Sequence, residues 1–96
     1  MDILVTYDVN TLTKQGRARL RRVAKLCEGH GQRVQFSVFE CTVNDAQMEV
    51  FRARLLKAIN TSEDSLRLYT LRGGREGCVQ SFGNDAYVDF QAPLVV

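Results

Sequence analysis

The chain has little of what membrane, extracellular and most cofactor chemistries require. No apolar run approaches the roughly 20 residues a membrane-spanning helix needs, so no span is expected. Met1-Asp2-Ile3 is unlike the basic start of a signal peptide, and export is not expected either. Cys27, Cys41 and Cys78 are an odd number of cysteines with no close pair along the chain. That argues against a disulfide framework and against zinc, and it suits a reducing cytoplasm. The lone histidine, His30, lies between two glycines and reads as a turn residue rather than a ligand. Neither a serine triad nor a reactive-cysteine constellation is present. The run Gly73-Gly74-Arg75-Glu76-Gly77 lacks the lysine spacing of a phosphate-binding loop. There is no internal repeat and no low-complexity linker, and the single proline, Pro93, limits the residues beyond it to an edge strand or tail.

What is present is an ordinary globular composition, 45% hydrophobic and 25% charged over 96 residues. One domain spanning residues 1–96 is expected, small enough to gain from burying further surface in an oligomer. The net charge of +2 conceals an asymmetry. Seven of the 13 basic residues (Lys14, Arg17, Arg19, Arg21, Arg22, Lys25 and Arg33) fall within one stretch, opposed there only by Glu28. A concentrated basic element on a nearly neutral chain suggests a polyanion docked on one face.

The first ten residues alternate with a period of two, Ile3, Val5, Tyr7 and Val9 against Leu4, Thr6, Asp8 and Asn10, which predicts a strand. Its apolar content on both sides suggests a central strand. Asp8, at its polar end, is a candidate metal ligand. The plainer reading is that Asp8 opens a turn or caps the next helix, both roles that aspartate favours. Lys14 to Glu28 then reads as a helix whose buried stripe is Leu20, Val23, Ala24 and Cys27, stopped by Gly29-His30-Gly31 through a left-handed glycine. Lys14, Arg17, Arg21 and Lys25 line another side of it. A charge run on a helix is most often a solvated face, but like charges at this spacing repel by a few tenths of a kcal/mol per pair, a cost that an anionic partner would relieve.

Arg33 to Val43 reads as a long strand, bent or split by a tight turn into two paired strands, with Phe39 on its more polar face. Asn44, with Gln47 reaching back, caps a second helix over Asp45 to Ile59 whose stripe is Met48, Phe51, Leu55 and Ile59. Its Arg52, Arg54 and Lys57 are spread rather than aligned and are given no role. Ser65 to Leu71 is a further strand, with Leu66, Leu68 and Thr70 inward. Residues 72–77 form a mobile loop or hairpin, leading to short strands over Cys78–Gly83 and Ala86–Phe90. This order predicts an α+β fold, a ferredoxin-like βαββαβ sandwich with an extra C-terminal strand. Its two helices would cover one sheet face only. The other face, carrying Phe39, would be left for a second subunit, and a homodimer would bring two copies of Asp8 towards its axis.

Two carboxylates brought together repel unless a cation lies between them. A hard ion such as Mg²⁺, with Mn²⁺ as the alternative, suits such oxygens, needs only one or two carboxylates, and can polarise a phosphodiester for hydrolysis. Other classes compete. An RNA-recognition module shares the fold, but Arg33 to Glu40 has aromatics without the glycine pattern of its octamer. A small-molecule regulatory dimer would not need the basic helix. A non-catalytic nucleic-acid scaffold would need that helix and not Asp8, and it is the serious rival.

Val5-Thr6-Tyr7-Asp8-Val9, the run Arg33 to Cys41, and Asp64-Ser65-Leu66-Arg67-Leu68-Tyr69 together resemble the small CRISPR-associated adaptation proteins of the Cas2 family, with spacing most like the type I-C branch. The resemblance covers residues 1 to 92. It implies a ferredoxin-like homodimer in which residues 78–96 form a strand or tail exchanged with the partner subunit. It implies the CRISPR integrase as partner and a cytoplasmic role in acquiring spacers. Asp8 matches the family's metal-binding, catalytic acid. Tyr7 matches the tyrosine or similar residue that precedes this acid at the end of the first strand, and Arg33 and Phe39 match second-strand residues that lie near the site in relatives. The implied function is a metal-dependent nuclease, with double-stranded DNA favoured over RNA, that also binds duplex DNA through Lys14, Arg17, Arg21, Lys25 and Arg33. The alternative is a non-catalytic DNA-binding scaffold.

Overall fold

A computed structural model describes residues 1–80 and 82. The elements are β1 (Asp2–Asp8), α1 (Lys14–Glu28), β2 (Gly31–Gln35), β3 (Val38–Thr42), α2 (Asp45–Ala58) and β4 (Ser65–Leu71). The four strands form one antiparallel sheet in the order β2-β3-β1-β4. Strand β1 is therefore central, as its two-sided apolar content predicts.

Ile3, Val5 and Tyr7 of β1 are buried and meet Val23 and Cys27 of α1 and Phe51, Leu55 and Ala58 of α2 in one core. Each large apolar side chain covered in this way contributes about 1.5–3 kcal/mol. Leu20, Ala24, Met48 and Ile59, the flanks of the two helical stripes, pack against the same core. Thr13 caps α1, its Oγ1 accepting from the Gly16 amide at 3.0 Å. Asn44 and Gln47 form the expected reciprocal capping box on α2. Ile59 serves as the C-cap of α2 rather than its last turn.

Several expectations are corrected. The α1 terminus uses no left-handed glycine, because Gly29 has φ −69°. Gly31 is required for a different reason: a Cβ there would lie 1.9 Å from the Glu40 carbonyl oxygen across the β2–β3 pair. The long second strand is split in two at Phe36-Ser37. The Ser37 carbonyl accepts from the Tyr7 amide at 3.1 Å, tying this turn to β1. The turn sets Gln35 opposite Val38, and an irregularity between Arg33 and Gln35 restores the alternation, so that Arg33 pairs with Phe39 on one face. That face is the covered one: Phe39 pairs with Val5 and Cys41 with Ile3, and Phe39 is fully buried under the helices, not placed on the uncovered face. Phe36, by contrast, is 92% exposed. In β4, Leu66 and Leu68 pack on the core as expected, whereas Thr70 is exposed.

The segment after β4 is fastened rather than loose. Gly73 and Gly74 take positive φ (76° and 81°), a conformation that glycine reaches without steric cost. The Arg75 amide then donates to Asp2 at 2.9 Å, and the Arg75 guanidinium pairs with Glu40. Cys78 lies in a turn, and Val79, Gln80 and Phe82 are outside regular structure, so no strand begins at Cys78. The expected strand Ala86–Phe90, Pro93 and most of the exchanged tail lie outside the described residues. Among the described residues no helix is long and apolar enough to cross a membrane.

Candidate metal and nucleic-acid sites

Alternation along β1 sends Ile3, Val5 and Tyr7 under the helices and Leu4, Thr6 and Asp8 to the opposite, open face of the sheet. Asp8 is the last residue of β1, opposite Ser65 of β4, and it is exposed. Among the described residues its carboxylate makes no hydrogen bond or ion pair. The plainer duties are carried by others. Thr13 caps α1, and the Asn10 Oδ1 accepts from the Leu12 amide at 3.0 Å to shape the loop.

Tyr7 and Phe39 stack with ring centroids 6.2 Å apart, and the Arg33 guanidinium lies 5.2 Å above the Phe39 ring. Arg33 also approaches Glu28 at 3.9 Å and keeps 45% of its side chain exposed. The Tyr7 hydroxyl donates to the Phe36 carbonyl at 3.3 Å, and burial pushes its pKa above the usual phenol value. Within this chain, then, Tyr7, Phe39 and Arg33 form one cluster on the helix side of the sheet. Asp8 is on the other side, so within one copy of the chain the structure does not bring their side chains together with its carboxylate. Through its hydroxyl and its amide, Tyr7 pins the end of β1 to the β2–β3 turn.

Asp64, which composition relegates to a polar connection, is the best-bonded carboxylate near this centre. Its side chain is fully buried. It accepts from the amides of Asn10 (3.0 Å) and Asn60 (2.8 Å) and from Arg19 Nε (2.8 Å) and Nη2 (3.3 Å). The Arg19 guanidinium is the largest cause holding the Asp64 carboxyl below the usual carboxylate range. Glu63 completes the clasp on Arg19 at 3.1 Å. The sequence offers two signals: Asp64 opens one of the runs that carry the family resemblance, and Arg19 falls off the line of Lys14, Arg17, Arg21 and Lys25.

The donor set around Asp8 bears on a metal. Carboxylate oxygens are hard donors suited to Mg²⁺ or Mn²⁺, and those of Asp8 are unengaged. Among the described residues no group of three or more acidic, histidine or cysteine side chains gathers, and the Asp64 oxygens already hold Arg19 and two amides. Among the described residues of one copy, an ion at Asp8 would be held by that carboxylate and mostly by water, and a second copy is one source of a further carboxylate. The buried thiols do not compete: contact with Cys41 and burial push the Cys27 pKa upward, so it stays protonated and inert.

Lys14, Arg17, Arg21 and Lys25 are all exposed, and none forms an ion pair among the described residues. Arg17 Nη1 donates to the Thr11 carbonyl at 3.3 Å. The first turn of α1 contains no acid, and Lys14 faces the positive end of the helix dipole, an arrangement that costs about 0.3–1 kcal/mol. Lys25, in the last turn, is favourably placed.

Comparison with known proteins gives concordant matches. The family model described as CRISPR associated protein Cas2 matches residues 1–77. The CRISPR-associated endoribonuclease Cas2 1 of Moorella thermoacetica is 52% identical over 96 residues, all of both chains. The CRISPR-associated endonuclease Cas2 of Halalkalibacterium halodurans is 42% identical over 95 residues, 99% of each chain. The crystal structure of Streptococcus pyogenes Cas2 at pH 6.5 superposes with a TM-score of 0.77 at 51% identity, covering 86% of this chain and 100% of that one.

Proposed function

Since the chain belongs to the CRISPR-associated Cas2 family, we propose that it is a cytoplasmic, metal-dependent nuclease of the I-C branch, preferring double-stranded DNA to RNA. In this reading it also holds duplex DNA for spacer acquisition beside the CRISPR integrase. The observation that carries the reading is the exposed, unengaged carboxylate of Asp8 at the end of the central strand. The names of the relatives, endoribonuclease and endonuclease, support a nuclease.

The working unit is proposed to be a ferredoxin-like homodimer. The strand order β2-β3-β1-β4, with both helices packed on one face, supports that fold. On the other face Leu4 and Val38 are half-buried and Tyr69 is 44% exposed, apolar surface that a second copy would cover. Pairing through this face carries two Asp8 carboxylates towards the axis, where they would hold Mg²⁺ or Mn²⁺. When bound, the ion supplies Lewis-acid polarisation of the phosphodiester. Asp8 orients the ion, and the Tyr7 cluster keeps Asp8 from drifting. Lys14, Arg17, Arg21 and Lys25, with the half-exposed Arg33, bind backbone phosphates and set the register of the nucleic acid without reading its sequence.

The second reading is a non-catalytic DNA scaffold, favoured by the fact that Asp8 and the α1 cations lie on opposite sides of the sheet. Asp8→Asn separates the two, because it keeps shape and removes charge. Cleavage of labelled duplex DNA and of RNA in Mg²⁺ should fall at least about 100-fold, with duplex affinity within about twofold of wild type. Retained cleavage by the variant would remove Asp8 from catalysis, and a wild type that binds without cutting would favour the scaffold.

A further inference from the structure

The carboxylate of Asp64 joins three segments of the chain, one of them the end of the strand that carries Asp8. It holds the amide of Asn10, two residues beyond Asp8, the amide of Asn60 beyond α2, and the guanidinium of Arg19 on α1. The residue after it, Ser65, is the register partner of Asp8 on β4. Of the six cations on α1, Arg19 alone turns inward, its side chain 14% exposed. Replacing a buried ion pair by well-packed apolar groups is often neutral or stabilising, so stability alone is a weak reason for one here. Gly16 tightens the same junction, since a Cβ there would lie 1.9 Å from the Asn10 carbonyl oxygen.

We propose that Asp64 is a positioning residue for Asp8: by gripping the Asn10 amide and Arg19 together, it holds the end of β1 and the cationic helix in one fixed relation. This rests on the reading of Asp8 as a metal ligand. An ion held by so few protein oxygens depends on their orientation, and groups that orient a ligand without touching the ion are commonly worth 10–100-fold in metal affinity. In Asp64→Asn one of the two accepting oxygens becomes an NH2 that cannot accept, and the charge on Arg19 is no longer answered there. The grip on the Asn10 amide weakens, the strand end frays, and Asp8 samples directions that do not converge on an ion. The α1 cations lose their fixed offset from that centre in the same event.

The test uses the full-length protein, Mn²⁺ as the probe, and Asp64→Asn with Arg19→Gln as a second variant. Amide hydrogen exchange is read at Asn10 and Asp8 against Val5 in the central strand. Mn²⁺ affinity is read from paramagnetic broadening of the Asp8 amide, with Asp8→Asn as the reference for a lost site. The expected result is exchange at Asn10 at least about tenfold faster with Val5 unchanged, and Mn²⁺ affinity lower by about 10–100-fold. Arg19→Gln should shift both in the same direction by less. Unchanged Mn²⁺ affinity in both variants, or equal loss of protection at Val5 and Asn10 in both, would overturn the proposal. Should wild type show no broadening that Asp8→Asn removes, the metal reading itself fails. The grip is then decided by exchange alone: faster opening at Asn10 and Asp8 in Asp64→Asn upholds it, and wild-type protection ends it.

Discussion

Along β1, Ile3, Val5 and Tyr7 lie under two helices, whereas Leu4 and Thr6 are half-buried and Asp8 is exposed on the other side. One strand of seven residues thus serves two faces with different demands. The covered face must satisfy close packing, where each change of volume is felt. The open face makes few such demands, so a carboxylate can remain there unpaired at little cost to the fold. With Asp8 in the proposed role, chemistry and stability become separable by which face of the sheet is altered.

Substitution on the covered face should give the largest stability effect. Phe51→Ala is expected to destabilise by about 3–5 kcal/mol in urea unfolding, with cleavage per folded molecule little changed. Asp8→Asn, on the open face, should do the reverse. Its loss of Mg²⁺-dependent cleavage, at least about 100-fold, should come with an unfolding midpoint close to wild type. If Asp8→Asn unfolds the protein, the two faces are not separable. The cations of α1 come next: Arg17→Ala with Arg21→Ala should reduce the slope of log K against log salt for duplex DNA by about 1.8. An unchanged slope would move the duplex elsewhere. Asn44→Ala, remote from both faces, should cost only about 1 kcal/mol through the lost cap.

Acid should act through the clasped carboxylates. The Arg19 guanidinium holds the Asp64 pKa down, and the Arg75 amide does the same for Asp2. A folded-state pKa below the unfolded value means that the associated stability is present above about pH 4 and is lost as pH falls through the folded value. Unfolding midpoints measured downward from about pH 5 should decline, and Asp64→Asn should flatten that decline. A parallel curve for the variant would show that Asp64 is not among the groups responsible.

Much of the fold is legible in the residues because its signals are local. Alternation in β1, the stripes of α1 and α2, and the Asn44–Gln47 capping box each depend on neighbours within a few positions. Phe39 is misplaced by the same reasoning, since alternation groups it with Arg33, Gln35 and Ser37 and makes its face look polar. Those polar residues belong to the edge strand and its turn, whereas Phe39 with Cys41 faces the core. Gly31 looks like a helix stop from nearby residues, yet the β2–β3 approach dictates it. Asp8 stands out because a polar residue ends an apolar strand. Asp64 is marked only as the first residue of a familiar run, and its task is not legible there, since its partners lie as far as 54 residues away.

The most direct test is the placement of Asp8 in Mn²⁺-soaked crystals of the wild-type protein. Two copies should meet through their open sheet faces, with an anomalous peak between the paired Asp8 carboxylates. A monomer, or Asp8 side chains directed away from each other with no peak between them, would contradict it.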